Sequence, residues 1–168
     1  MSEPLSEAVL EYETDLSASS GVERATLDRI QSLLERGDLD DATTLLDDSL
    51  REEESGTALR ALRAKLDYLA GHFSSAAVRY AAVAAEAEDT PALRIDEALC
   101  LLRAGRHDDA FGVLFGLLSR GVQSPRLWGY LGTALEHRGQ YREAAAAYLA
   151  GGHHAAAQRM RRRKLDSI

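Results

Sequence analysis

A chain of 168 residues with 45% apolar residues and a net charge of −7 can bury the core of one ordinary domain or one short repeat stack, which excludes a wholly disordered protein. Only 3 prolines interrupt a composition dominated by alanine, leucine, arginine and glutamate, side chains that lose little freedom in a helix, so almost no sheet is expected. The alanine stretch around Ala144 to Ala150 falls far short of the ~20 apolar residues a membrane-spanning helix needs, and the single Cys100 excludes an internal disulfide and reads as a small buried hydrophobe.

Residues 1–22 form an acidic N-terminal arm. Pro4 opens a short helix over residues 4–16, with Leu5, Val9, Tyr12 and Leu16 at helical spacing on one face, after which comes the linker SASSG. This piece either caps the first helical unit downstream of it or folds into a groove of its own molecule. The arm is acidic where a secretory signal is basic and then apolar, so a cytoplasmic location is expected.

Beyond the arm the segments LLERGDLDDATTLL, YLAGHFSSAAVRY, LLRAGRHDDAFGVL and LEHRGQYREAAAAYL align on a glycine with an alanine five residues later. The glycines are Gly37, Gly71, Gly105 and Gly139, and the alanines Ala42, Ala76, Ala110 and Ala144, each series stepping by 34 residues. Between them sit Leu39, Phe73, His107 and Tyr141, and four residues past each alanine come Leu46, Tyr80, Leu114 and Tyr148. That period suits a helix-turn-helix unit in which neither helix buries its apolar face alone, so stacking is obligatory. The glycine ends the first helix with a positive backbone angle, and the alanine lets two helices approach closely.

At these residues the chain resembles the tetratricopeptide repeat family, most fully at Trp128, Leu131, Gly132, Gly139, Tyr141, Ala144 and Tyr148. The resemblance implies an all-α, right-handed α-solenoid of four units at 23–56, 57–90, 91–124 and 125–158, with Pro91 and Pro125 starting the third and fourth. Two departures stand out. Ile30 occupies a position where a small residue is usual. In the second unit Arg60, Arg63 and Asp67 replace apolar residues, while Leu59, Leu62, Leu66 and Leu69 form a stripe displaced by one residue, so that its first helix is rotated or its turn differs. Gly151-Gly152 should stop the last second helix, leaving residues 153–168 as a basic capping helix and tail of the kind repeat arrays need.

In the family, the first helices line a concave groove. By position, the resemblance implies a groove lined by Leu27, Gln31, Leu34, Ala61, Lys65, Tyr68, Ile95, Leu99 and Leu102, continued by Arg103, Tyr130 and Thr133. Its apolar middle suits a hydrophobic or amphipathic segment, although the same leucines can simply pack between helices. The lysines and asparagines with which some members grip a terminal carboxylate are missing, which disfavours a co-chaperone of the large ATP-driven chaperones.

No catalytic, cofactor or metal site emerges. Asp40-Asp41, Asp47-Asp48 and Asp108-Asp109 lie mostly near the starts of second helices, where carboxylates meet the helix dipole. Of the histidines, His72 and His107 fall in turns, His137 on a first helix, and His153-His154 are adjacent and point apart. Arg159, Arg161, Arg162, Arg163 and Lys164 lack interleaved aromatics, so a solvated cap or an acidic protein surface is expected opposite them rather than nucleic acid or membrane. The net charge runs from −12 over residues 1–56 through 0 over 57–124 to +5 over 125–168, which could bring copies together through acidic N-terminal and basic C-terminal ends.

These features predict a non-enzymatic adaptor or chaperone that holds a partner segment in the groove, loosely similar to bacterial repeat chaperones of secretion systems. High alanine and arginine content hints at a GC-rich bacterial genome. The alternative is a scaffold or assembly component of a bacterial secretion, motility or signalling complex, using its convex face or charged ends.

Overall fold

The computed structural model describes residues 21–51, 56–87 and 90–165. The helix expected over residues 4–16 lies outside them. Among the described residues the chain forms nine helices and no strand: α1 (Gly21–Glu35), α2 (Leu39–Ser49), α3 (Thr57–Leu69), α4 (Phe73–Glu86), α5 (Pro91–Arg103), α6 (His107–Ser119), α7 (Pro125–His137), α8 (Tyr141–Ala150) and α9 (His154–Leu165). Two compact units divide between Ala87 and Glu88. The first holds α1 to α4 and the second α5 to α9.

Each helix pair is closed by the same turn. Gly37, Gly71, Gly105 and Gly139 have φ of 81°, 82°, 77° and 73°, a left-handed conformation that costs glycine nothing. The residue after each glycine donates its backbone N–H to a carbonyl five residues upstream: Asp38 to Leu33 at 2.9 Å, His72 to Asp67 at 2.8 Å, Arg106 to Leu101 at 2.9 Å and Gln140 to Leu135 at 2.9 Å. These bonds satisfy carbonyls that a helix end otherwise leaves bare. Pro91 and Pro125 stand in the first turns of α5 and α7, where a missing amide costs no hydrogen bond, and Ser124 Oγ accepts from Leu127 N at 3.1 Å to cap α7.

Within a pair, helices meet through small residues. Ala42, Ala76, Ala110 and Ala144 are all fully buried. The larger residues four positions on, Leu46, Tyr80, Leu114 and Tyr148, are buried as well. Their counterparts on the first helices are Ile30, Ala64, Ala98 and Gly132, which are themselves buried. The two tyrosines thus stand in pairs whose first helix carries alanine or glycine. In the last pair the fit is tight: a Cβ added at Gly132 would lie 2.7 Å from the Tyr148 ring. Ile30, at a position where a small residue is usual, shares a core with Leu46, Leu27, Leu34, Leu59 and Leu62; Leu46 in its pair leaves the room that a tyrosine takes elsewhere.

The irregular second unit of the sequence keeps the standard turn, and its charges are used. Leu59, Leu62 and Leu66 enter the core. Arg63 donates through Nε to Asp47 of α2 at 2.6 Å and through Nη1 to Asp67, while Arg79 of α4 donates to the other oxygen of Asp67 at 2.7 Å. Asp47, Arg63, Asp67 and Arg79 therefore tie three successive helices together. Burial lowers the Arg63 pKa, but bonds to Asp47 and Asp67 outweigh it and leave the guanidinium above its ordinary value. Arg60 pairs with Glu86.

α9 covers the last pair. Ala157 and Met160 are buried in the same core as Leu127, Leu131, Ala144 and Tyr148, and Cys100 is buried and reduced. No described helix is long and apolar enough to cross a membrane.

This packing has two testable consequences. Gly132→Ala should destabilise the chain by about 1–3 kcal/mol in urea denaturation, and the loss should persist in a Tyr148→Phe background, because the clash is with the ring and not the hydroxyl. Asp67→Ala, which leaves Arg63 with Asp47 alone and takes the acceptor from Arg79, should cost about 2 kcal/mol. Replacing Arg63 and Asp67 together by leucine should recover most of it; a double variant no better than Asp67→Ala would show that the charges matter for more than their mutual compensation.

Candidate functional site

The first helices are α1 and α3 in one unit and α5 and α7 in the other, and the residues expected on their groove faces divide into two sets. Leu27, Leu34, Ala61 and Ile95 are buried; Leu27 and Leu34 belong to the core of the first unit and Ile95 to that of the second. They pack helices together. Gln31, Lys65, Tyr68, Leu99, Leu102, Tyr130 and Thr133 are partly exposed, and Arg103 is exposed.

In the first unit the accessible set is polar and aromatic. Gln31 donates to Glu35 at 3.3 Å. Lys65 Nζ stands 5.7 Å from the centroid of the Tyr68 ring, which meets Phe73 edge-on at 5.5 Å. A cation beside an aromatic ring one helical turn along makes a surface that accepts both apolar groups and carboxylates.

In the second unit Leu99, Leu102 and Arg103 fall on one side of α5 by helical spacing. Asp96 of the same helix is buried and accepts from Arg126 Nη2 of α7 at 2.5 Å, and the Arg126 guanidinium carbon lies 6.0 Å from the Tyr130 ring centroid. Burial lowers the Arg126 pKa, but Asp96 and Tyr130 more than offset this, so the net shift is upward. Arg94 also pairs with the buried Glu97 at 2.9 Å. The contacts on α7 set Arg126 between Asp96 and Tyr130.

A second polar cluster joins α7, α8 and α9. Tyr148 donates its hydroxyl to Glu136 at 3.1 Å and lies 3.1 Å from Thr133 Oγ1, while Arg163 donates to the other Glu136 oxygen at 2.9 Å. Burial, and secondarily Glu136, raises the Tyr148 pKa against the opposing influence of Thr133 and Arg159. His153 Nε2 donates to the Pro125 carbonyl at 3.1 Å, and a Cβ at Gly129 would come within 2.6 Å of that imidazole. Glycine at this groove position therefore gives the turn before α9 its seat.

Counting positions places Arg126, Gly129 and Glu136 on the groove face but misses their partners Asp96, His153 and Arg163. One signal for them exists in the sequence. Asp96 to Arg126 and Asp108 to Arg138 are both separated by 30 residues, one repeat less one helical turn, the offset at which first helices or turns of neighbouring pairs come into reach.

His107 does not sit in a turn; it begins α6, and its ring stacks on His137 of α7 with centroids 3.8 Å apart and planes within 3°. Asp108 accepts from Arg138 at 2.6 Å alongside, and Arg138 lies over the Phe111 ring at 4.4 Å. Burial and the neighbouring His137 lower the His107 pKa, against Asp108. Among the described residues no three His, Cys, Asp or Glu side chains stand close enough to hold a metal ion.

No family model matches the chain, and no curated protein matches it in sequence. Solved structures match its fold. MamA from Desulfovibrio magneticus RS-1, residues 41 to the end, is similar with a TM-score of 0.71 at 15% identity, over 89% of this chain and 96% of that one. MamA MSR-1 gives a TM-score of 0.64 at 20% identity over 95% and 88%, and MamA AMB-1 gives 0.68 at 19% over 88% and 88%. At such identities the likeness concerns the fold: an all-α helical repeat solenoid of tetratricopeptide-like type.

The histidine pair yields a pH dependence. The folded chain favours neutral His107, so the unfolded chain takes up the proton first as pH falls. The stabilisation is complete above the ordinary histidine value of 6.5 and is lost as pH drops below it toward the depressed folded value. The melting temperature should fall more between about pH 7.5 and 5.5 for the natural chain than for His107→Gln. Parallel curves for the two proteins would remove His107 as the cause.

Proposed function

We propose that the chain is a non-catalytic protein-interaction module, working in the cytoplasm without cofactor or metal, that holds an amphipathic segment of a partner protein against the faces of its first helices. The observation that carries this reading lies within the second compact unit, where α5 leaves Leu99 and Leu102 accessible and α7 carries Tyr130 beside Arg126; the first unit has by itself a similar aromatic–cation pair, Tyr68 beside Lys65. Aromatic and arginine side chains on pre-positioned helices supply most of the affinity in helix-in-groove recognition. The roles of the site residues then separate. Leu27, Leu34, Ala61 and Ile95 shape the faces from beneath. Gln31, Lys65, Tyr68, Leu99, Leu102, Arg103, Tyr130 and Thr133 make contact. An adaptor or a chaperone would use the same contacts and differ in how long it retains its partner.

A scaffold role has its own support in apolar side chains left open on second helices, Val78 at 65% and Phe115 at 54% exposure. Such a protein would join copies or partners through its outer helices or charged ends and leave the first-helix faces free.

Panning the full chain against displayed helical peptides of ~15 residues tests the first reading. Amphipathic sequences should be recovered, and in fluorescence anisotropy Leu99→Glu should weaken their binding by about tenfold or more while Phe115→Glu leaves it unchanged. Recovery of no peptide, or equal binding by Leu99→Glu, would remove the groove reading.

A further inference from the structure

The second helix α6 leaves part of one face open to solvent. Phe115 is 54% exposed there, and its ring stacks at 5.6 Å with an angle of 19° on that of Phe111, which is packed against the core and lies under Arg138, so Phe115 is a firmly seated, exposed ring. Gly112 and Gly116, one turn apart, lie on the same side by helical spacing. A Cβ at either would meet no atom within 4 Å. The chain itself therefore has room for alanine at both positions, and glycine is a poor helix former. Small residues beside an exposed aromatic ring fit a close approach by a second helix from outside the chain.

Charge selects which helix. Asp109 lies in the first turn of α6 and Arg120 directly follows its end; at about 100° per residue the two share one flank of the aromatic face. If two α6 helices pair antiparallel about a two-fold axis passing between the glycines, Gly112 of one copy meets Gly116 of the other and each Phe115 covers the opposite small residues. Asp109 of one copy then meets Arg120 of the other, twice. A parallel pair would set Asp109 against Asp109 and Arg120 against Arg120, which opposes it. Asp109 already accepts from Arg106 at 2.7 Å, with both side chains about half exposed; such a surface pair is weak and leaves its second carboxylate oxygen for another cation.

We propose that α6 is a self-association face, on which two copies of this chain pair antiparallel through Phe115, Gly112 and Gly116 with Asp109 to Arg120 contacts at both edges. This deepens the scaffold reading and is independent of the first-helix faces. A single helix pair buries less than the ~800 Å² per partner of a standard interface, so the association is expected to be weak and reversible.

Sedimentation equilibrium of the full chain between about 1 and 200 µM reads the association directly. A reversible monomer–dimer equilibrium is expected. Phe115→Glu and Gly116→Leu should each weaken it at least about tenfold with unchanged circular dichroism; the leucine improves helix propensity, and its Cβ meets no atom within 4 Å. Asp109→Arg should weaken it similarly, and adding Arg120→Asp should restore it. A monomer throughout overturns the proposal, as does a dimer indifferent to Phe115→Glu and Gly116→Leu. A dimer that resists both but is lost with Val9→Glu would place the contact in the N-terminal arm and overturn it as well. Because peptide binding is read at Leu99, failure here leaves the groove reading standing, and the reverse also holds.

Discussion

Close approach of two helices within each pair is the constraint on which the rest of the structure depends. It requires an alanine on the second helix, and, where that helix carries tyrosine, an alanine or glycine on the first. The left-handed glycine between the helices sets the direction of return, and the carbonyls it would leave bare are bonded by the next residue's N–H. A larger side chain at any of these points separates the helices and opens a void beside the tyrosine or leucine. In interiors packed as densely as crystals, such a gap is lost contact on every wall. Each pair still has an unsatisfied outer face, so the array ends in α9, whose Ala157 and Met160 cover the last pair.

This constraint is legible in the sequence because it acts on backbone geometry, which repeats. Gly37, Gly71, Gly105 and Gly139 can be read at once, since only glycine takes the conformation cheaply, and the four alanines come with the same spacing. Side-chain chemistry between pairs is less legible, because it does not repeat. Arg63 and Asp67 stand as errors in an apolar register; in the fold they satisfy each other together with Asp47 and Arg79. A periodicity argument grades each position separately, whereas a charge is tolerable or not according to a partner on another helix.

The first-helix faces show the same limit more sharply. Leu34 and Leu102 occupy the same position in the repeat count, yet Leu34 lies in a core and Leu102 is partly open. Both roles favour leucine at helical spacing, so the residue type carries no information to separate them. What differs is the neighbour: Leu34 shares its cluster with Leu59 and Leu62 of the next first helix. On α5, the buried Asp96 instead holds Arg126 of α7, and Leu102 is partly open to solvent. The same residue type at one repeat position is thus buried or open according to the helix beside it.

That relation also explains why a repeat protein can vary its partner without losing its fold. Residues that define the pair, Ala144, Gly132 and Tyr148 among them, point into the core. Those that set chemistry, such as Arg126, Tyr130 and Lys65, attach to it through one or two polar contacts. Substitution in the first group is penalised by packing in every copy, while change in the second rearranges a local pair. α6 shows the converse case. Gly112 and Gly116 do no work for the pair they belong to, because alanine would fit at both positions. Glycine weakens a helix there without relieving any internal crowding, which is the feature the proposed pairing of two α6 helices uses.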